Sequence, residues 1–248
     1  MRIIGVIDVL GGRAVAARGG RRETYQPIEH IAGLRIAPGD VMSLAKDYVE
    51  RFGLSELYLA DLDAITGRPP QSLPINTLAA LGASISVDAG ISSVECARSV
   101  ISTGADRIIV GLETLDSFDT LSAICGEIGP QNVIFSLDLT QGAAKVLAGS
   151  EIGKQSPEEI AAAAVGAGAQ TLILLDLARV GNASGFDLGL LRRIHSAVPL
   201  ASLFVGGGLR HVEDMKRAAD CGCDGVLVAT ALQRGSITAT DIEAAFQY

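Results

Sequence analysis

Eight short apolar runs punctuate the chain, at residues 3–9, 57–61, 84–88, 107–111, 133–138, 171–176, 202–205 and 225–228. Nearly all are continuously hydrophobic, the pattern of parallel strands covered on both faces. Ala-rich segments with helical periodicity lie between most of them, as at 41–52, 93–103 and 157–166. Ser156-Pro157-Glu158-Glu159 supplies an N-cap, a proline at the first helical position and acids in the first turn. Eight strand–helix units predict an α/β fold, a single (β/α)8 TIM barrel, with an open doubly wound sheet as the alternative.

An internal repeat favours the barrel. Ile7-Asp8-Val9 matches Leu137-Asp138-Leu139, and Leu57-Tyr58-Leu59-Ala60-Asp61-Leu62 matches Leu172-Ile173-Leu174-Leu175-Asp176-Leu177. Val87-Asp88-Ala89-Gly90-Ile91 matches Val205-Gly206-Gly207-Gly208-Leu209. Residues 105–111 match 223–229. Four strands in one half align in order with four in the other, so two half-barrels, about 1–125 and 126–248, are expected to close one ring. No linker separates them, and the whole span 1–248 is read as one domain.

Composition narrows the class. The 248 residues are 48% hydrophobic with 29 glycines, enough for a large core with many tight turns and unlike a disordered chain. The net charge of −8 and the absence of a basic face argue against nucleic acid and against an anionic membrane surface. An acidic chain can still hold a phosphorylated metabolite on glycine amides and helix N-termini. Cys96, Cys125, Cys221 and Cys223 lack zinc or redox spacing, and Cys221 and Cys223 read as small buried hydrophobes at a helix end. The N-terminus enters a strand at once and no apolar run reaches the length of a membrane span, which reads as a soluble, cytoplasmic protein.

In such a barrel, chemistry sits where strands end and βα loops begin. Asp8 ends the first strand and Asp138 the fifth, so the repeat sets them face to face across the mouth. Paired carboxylates there can exchange protons, although an aspartate after a strand also serves as a helix cap. Asp61 and Asp176 end strands 2 and 6; either belongs to the catalytic set or orients nearby loop backbone. Gly11-Gly12-Arg13 and Arg18-Gly19-Gly20-Arg21-Arg22 lie in a long segment after strand 1, a candidate lid whose Arg18, Arg21 or Arg22 could close on an anion. His30, His195 and His211 show no metal spacing, and His195 reads as structural.

Gly206-Gly207-Gly208 follows strand 7, and Ala229-Thr230 follows strand 8 where a short helix opens. Loops after these two strands often form the phosphate site of this fold. In the first half, Asp88-Ala89-Gly90 and Gly111-Leu112-Glu113 stand in their places, so a carboxylate replaces the first glycine and the hydroxyl is lost. One working phosphate site and one disabled partner are expected; if Asp88 pointed away, its neighbouring amides would still bind.

These residues resemble a known family. Ile7-Asp8, Ser136-Leu137-Asp138, Asp176 with Arg179 and Gly181, and Gly206-Gly207-Gly208 are similar to the HisA/HisF group of histidine biosynthesis, closest to the HisA branch, over nearly the whole chain. HisA enzymes convert an aminoaldose to an aminoketose, an Amadori rearrangement, on a substrate with a phosphate at each end. The resemblance implies that Asp8 is a general acid or base with partners after strands 5 and 6 (Asp138 and Asp176). Arg179 and Gly181, and Arg18 from the lid, are expected to contact substrate, and the resemblance implies no metal or organic cofactor. Where HisA proteins carry T-D-x-x-R-D-G-T, this chain reads Leu175-Asp176-Leu177-Ala178-Arg179-Val180-Gly181-Asn182. An acid has become Val180, both threonines are gone, and the first-half glycine triplet is Asp88-Ala89-Gly90. Together these departures imply a HisA-like paralogue acting on a substrate with one phosphate. Such relatives stand beside one-carbon cofactor genes in some microbes. A non-catalytic phosphate-binding or scaffold protein, and a lyase or condensing enzyme, are the alternatives.

Overall fold

A computed structural model describes residues 1–71 and 74–245. Eight parallel strands form a closed barrel with helices around it. They are β1 (Arg2–Leu10), β2 (Glu56–Asp61), β3 (Ser84–Asp88), β4 (Arg107–Gly111), β5 (Val133–Thr140), β6 (Thr171–Asp176), β7 (Ser202–Gly206) and β8 (Gly225–Val228). β1 closes the ring by pairing with β8 on one side (Gly5 beside Val228) and β2 on the other (Gly5 beside Leu57). Every sequence-predicted strand is present, displaced at its ends by at most two residues.

The continuous hydrophobicity of the strands has a simple cause: their two faces bury against different partners. Ile4, Tyr58, Ala60, Ile109, Ile134, Ile173, Phe204 and Leu227 fill the barrel interior as one cluster. Their strand neighbours, such as Ile3, Leu57, Leu59, Ile108, Leu172 and Leu174, pack outward against the helices. This alternation decides which aspartates reach the lumen. Asp8 follows Ile4 and Val6 on the inner face, and Asp138 follows Ile134 and Ser136. Asp61 and Asp176 carry the opposite parity, that of Leu59 and Leu174.

The predicted helix at 157–166 begins with a full capping box: the Ser156 hydroxyl accepts the Glu159 amide, and the Glu159 carboxylate accepts the Ser156 amide at 2.7 Å. The segment 41–52 differs from the single regular helix expected. It runs as Val41–Lys46 and then widens into a π-type turn over Asp47–Arg51, which seats Tyr48 fully in the core.

The segment after β1 is more ordered than a bare lid. Gly11 and Gly12, at φ +55° and +76°, turn the chain back so that Arg13–Ala16 pairs antiparallel with β1, Leu10 beside Arg13. The second half repeats the device. Gln141 and Gly142, at φ +55° and +83°, return Ala143–Ala144 along β5.

Candidate active site

The C-terminal mouth of the barrel holds a cavity of about 120 Å³. Asp8, Asp88 and Asp138, from β1, β3 and β5, all line it. Asp138 is 4% exposed and its Oδ1 accepts the Ser136 hydroxyl at 2.7 Å. Asp88 is 8% exposed; its Oδ2 accepts the Tyr58 hydroxyl at 2.9 Å and its Oδ1 the Gly90 amide at 3.2 Å. Gly111 ends β4 without a side chain, and a Cβ there would stand 3.3 Å from Asp138 Oδ2 and 3.8 Å from Asp88 Oδ2. The missing methyl lets two carboxylates share that corner.

Burial under mutual repulsion keeps these groups close to neutral pH. Burial lifts Asp8 to about 7, against the pull of the Arg22 guanidinium, with Asp88 adding repulsion. Burial and then the charge of Glu113 lift Asp138 to about 8, against the Ser136 hydrogen bond. Burial lifts Asp88 to about 6, opposed by its bonds to Gly90 and Tyr58. Carboxyls that titrate near pH 7 are suited to giving and taking protons in one cycle.

Two cations cross the same corner. Arg22 ion-pairs with Glu113 Oε1 at 2.5 Å, and Lys145 pairs with Glu113 Oε2. Arg22 sits on a short turn of 3₁₀ helix, Arg22–Thr24, in the segment after β1. Of the three arginines considered for the lid, Arg22 is the one lining the carboxylate cavity, together with Tyr25. Arg18 is exposed and lines an adjoining groove with Arg234 and Thr230. The lid is docked by the Gly19 amide, which donates to the Val180 carbonyl at 2.7 Å.

Gly207, Gly208, Ala229 and Thr230, after β7 and β8, line the same cavity. Gly207 and Gly208 have φ of +84° and +98°, and a Cβ on them would meet the carbonyl oxygens of Asp176 at 2.5 Å and Gly185 at 2.6 Å. Only glycine fits there. Among the described residues, neither amide donates to a protein acceptor, whereas the equivalent Gly90 amide is taken by Asp88. Gly206 lies inside β7, does not line the cavity, and leaves room for the side chains of Leu175 and Leu227.

Strand parity sets Asp176 apart from the other aspartates. Asp176 does not line the cavity. Its Oδ1 accepts the Ala178 amide at 3.1 Å and its Oδ2 the Arg179 Nε at 2.8 Å, while Arg179 Nη1 donates to the Gly185 carbonyl at 2.9 Å. The pair folds the loop after β6 onto itself, and the Gly185 amide, donating to the Gly208 carbonyl at 2.8 Å, joins that loop to the glycine loop after β7. Asp61 works the same way in the first half, accepting the amides of Asp63, Ala64 and Gln71. Gly181 lines the cavity, its φ of +73° letting it pass 2.3 Å (measured from a would-be Cβ) from the Ala17 carbonyl. Val180 lines the cavity too, with an apolar side chain.

Sequence reasoning did not assign Glu113, Tyr58 or Tyr25 to the site. Tyr58 was legible from inward parity on β2, but Glu113 meets Arg22 across 91 positions of sequence, a pairing no local pattern carries. Among the described residues, no three His, Cys, Asp or Glu side chains form a group able to hold a metal ion, and no helix is long and apolar enough to cross a membrane.

A family model described as histidine biosynthesis protein matches residues 2–238. The chain is 30% identical over 239 residues, 96% of each protein, to a Thermus thermophilus protein. It is 29% identical over 245 residues, 95% of each, to one from Deinococcus radiodurans. Both are named as an imidazole-4-carboxamide isomerase, with two 5-phosphoribosyl groups in the substrate name. It is similar to the same degree, 29% over 244 residues, to an uncharacterised protein of Methanocaldococcus jannaschii, spanning 98% of this chain and 97% of that one.

Proposed function

The chain belongs to the histidine biosynthesis protein family, and from that premise we propose that it is an Amadori-type aldose–ketose isomerase acting on a small molecule with one phosphate. The observation that carries this reading is the polarity of the cavity. Bare amides at Gly207 and Gly208 line the cavity together with the carboxyls of Asp8 and Asp138, and the glycine loop after β7 lies, in the order of the ring, between the strands that carry the two aspartates. A phosphate seated at the glycine loop, beside Ala229 and Thr230, would hold the sugar carbons under the two carboxyls.

The chemistry then needs no group beyond these. Asp138, protonated near neutral pH, gives its proton to the ring oxygen of an aminoaldose, and the C1–O bond opens to an iminium. Asp8, ionised, removes the hydrogen from C2, leaving an enaminol. Delivery of a proton to C1 from Asp8, after exchange with solvent, and of the O2 proton to Asp138 completes an aminoketose with no net gain or loss of protons. Asp176 and Arg179 hold the loops that shape the site, and Gly181 and Arg18 flank the entrance.

The substrate differs from that in the relatives' names. In the first half, Asp88 occupies the loop position where an anion would sit, and it already takes the Gly90 amide. A place in one-carbon cofactor synthesis is compatible with this reading and rests on the family resemblance alone. Val180, which removes an acid from the cavity, favours as a second reading a binding protein without turnover.

The test uses the phosphorylated compound that accumulates in a deletion strain. Incubated with the protein in D₂O and followed by NMR, it should yield an isomer of unchanged skeleton with deuterium at C1. Fragments or a condensed product would indicate lyase or condensing chemistry; binding without conversion would indicate the scaffold reading. Expression in a histidine auxotroph lacking the family isomerase should give no rescue or only weak rescue.

A further inference from the structure

Asp8 and Asp138 are equivalent in the repeat, so a difference in their roles must come from residues that break it. Three such breaks converge on the cavity. Ser136, whose hydroxyl bonds Asp138, has Val6 as its counterpart beside Asp8. Glu113, two residues after β4, has Ala231 as its counterpart after β8. Arg22 comes from the long segment after β1, whereas the shorter return after β5 brings Lys145.

These breaks are arranged with a direction. Gly111 pairs with Ser136, so Glu113 emerges on the β5 side; the Lys145 amide donates to the Asp138 carbonyl at 2.8 Å while its ammonium pairs with Glu113. Glu113 in turn holds Arg22, its own side chain 15% exposed and that of Arg22 21%. We infer, resting on the isomerase reading, that the Arg22–Glu113 pair is the positioning element that divides labour between the two carboxyls: Arg22 faces Asp8 and makes it the base, and Glu113 faces Asp138 and keeps it the acid. Because Arg22 is carried by the lid, the division is complete only when that segment is docked.

Arg234 lines the same cavity, and other charged and titratable groups stand closer to each carboxyl. Asp8 shares the cavity with Arg22 and Tyr25 from the lid, Asp88 from β3 and Tyr58 from β2, and it also interacts with the buried Tyr48. Asp138 faces Glu113, Asp88, Lys145 and Tyr58. A single opposite charge a few ångströms away favours the ionised carboxyl and a like charge opposes it.

The experiment needs no substrate. Protein labelled with ¹³C at aspartate Cγ is titrated by NMR, with Asp8→Asn and Asp138→Asn used to assign the two resonances. In Arg22→Gln the Asp8 midpoint should rise by roughly one pH unit or more, with a smaller change at Asp138. Arg22→Lys should restore it. In Glu113→Gln the Asp138 midpoint should fall. Circular dichroism establishes that each variant is folded; should Arg22→Gln fail to fold, Arg22→Lys and Glu113→Gln carry the test. Folded variants in which both midpoints move together, or neither moves, overturn the inference. The isomerase reading is tested separately by turnover, so either can fail alone.

Discussion

Asp88 Oδ1 accepts the amide of Gly90 at 3.2 Å, on the loop equivalent to the one where Gly207 and Gly208 leave their amides open. One half of the barrel thereby occupies with its own carboxylate an amide position that the other half leaves open. Asp88→Gly should free that amide and remove a repelling charge, creating a second anion site. Calorimetric titration with inorganic phosphate should show binding there at least roughly tenfold tighter than in the parent, about 1.4 kcal/mol. Unchanged stoichiometry and affinity would mean that Asp88 does not block the site.

Asp8 and Asp138 should each be indispensable. Replacing either with Asn should lower turnover by about 10²–10⁴-fold. The pH profile of kcat/KM should be a narrow bell, rising as Asp8 ionises near 7 and falling as Asp138 loses its proton near 8. The two limbs belong to the coupled pair and not to either residue alone. A flat profile between pH 6 and 9 would be inconsistent with this pairing.

The same carboxyls should weaken the fold at alkaline pH. Both hold protons more tightly when folded than when unfolded, since burial lifts them from 3.8 to about 7 and about 8. The native state therefore binds more protons across that window, and stability falls as pH rises through it. Asp138→Asn removes the buried charge and should raise Tm relative to the parent at pH 8.5, with little difference at pH 4. A lower Tm at both values would show that the Ser136–Asp138 bond stabilises more than the buried charge destabilises.

Much of this was legible in the chain itself, and the limits have physical causes. The eight strands stand out because each buries both faces, so no polar alternation interrupts the run. The pairing of Asp8 with Asp138 follows from the repeat. Asp176 was grouped with them because it too ends a strand, but one step along a strand reverses the face, and its carboxylate braces Arg179 instead. Which lid arginine turns inward is set by the hairpin begun at Gly11 and Gly12, and the sequence leaves Arg18, Arg21 and Arg22 open; Arg22 lines the carboxylate cavity and Arg18 the adjoining groove.

Gly207→Ala should be harmful in two ways. At φ +84° and 2.5 Å from the Asp176 carbonyl, an added methyl strains the loop, with a loss of stability beyond about 1 kcal/mol. Moving the loop also misaligns the amides, so inorganic phosphate should bind at least several-fold more weakly. Chemical denaturation and calorimetry together check this; an Ala variant with parental stability would show that the loop relaxes freely.

The most direct test of the whole account is a crystal of the protein soaked in inorganic phosphate. One anion per chain should lie against the amides of Gly207 and Gly208, within the cavity that Asp8 and Asp138 share, and none against Gly90. Phosphate at the Gly90 loop, or carboxyls of Asp8 and Asp138 facing away from the bound anion, would contradict it.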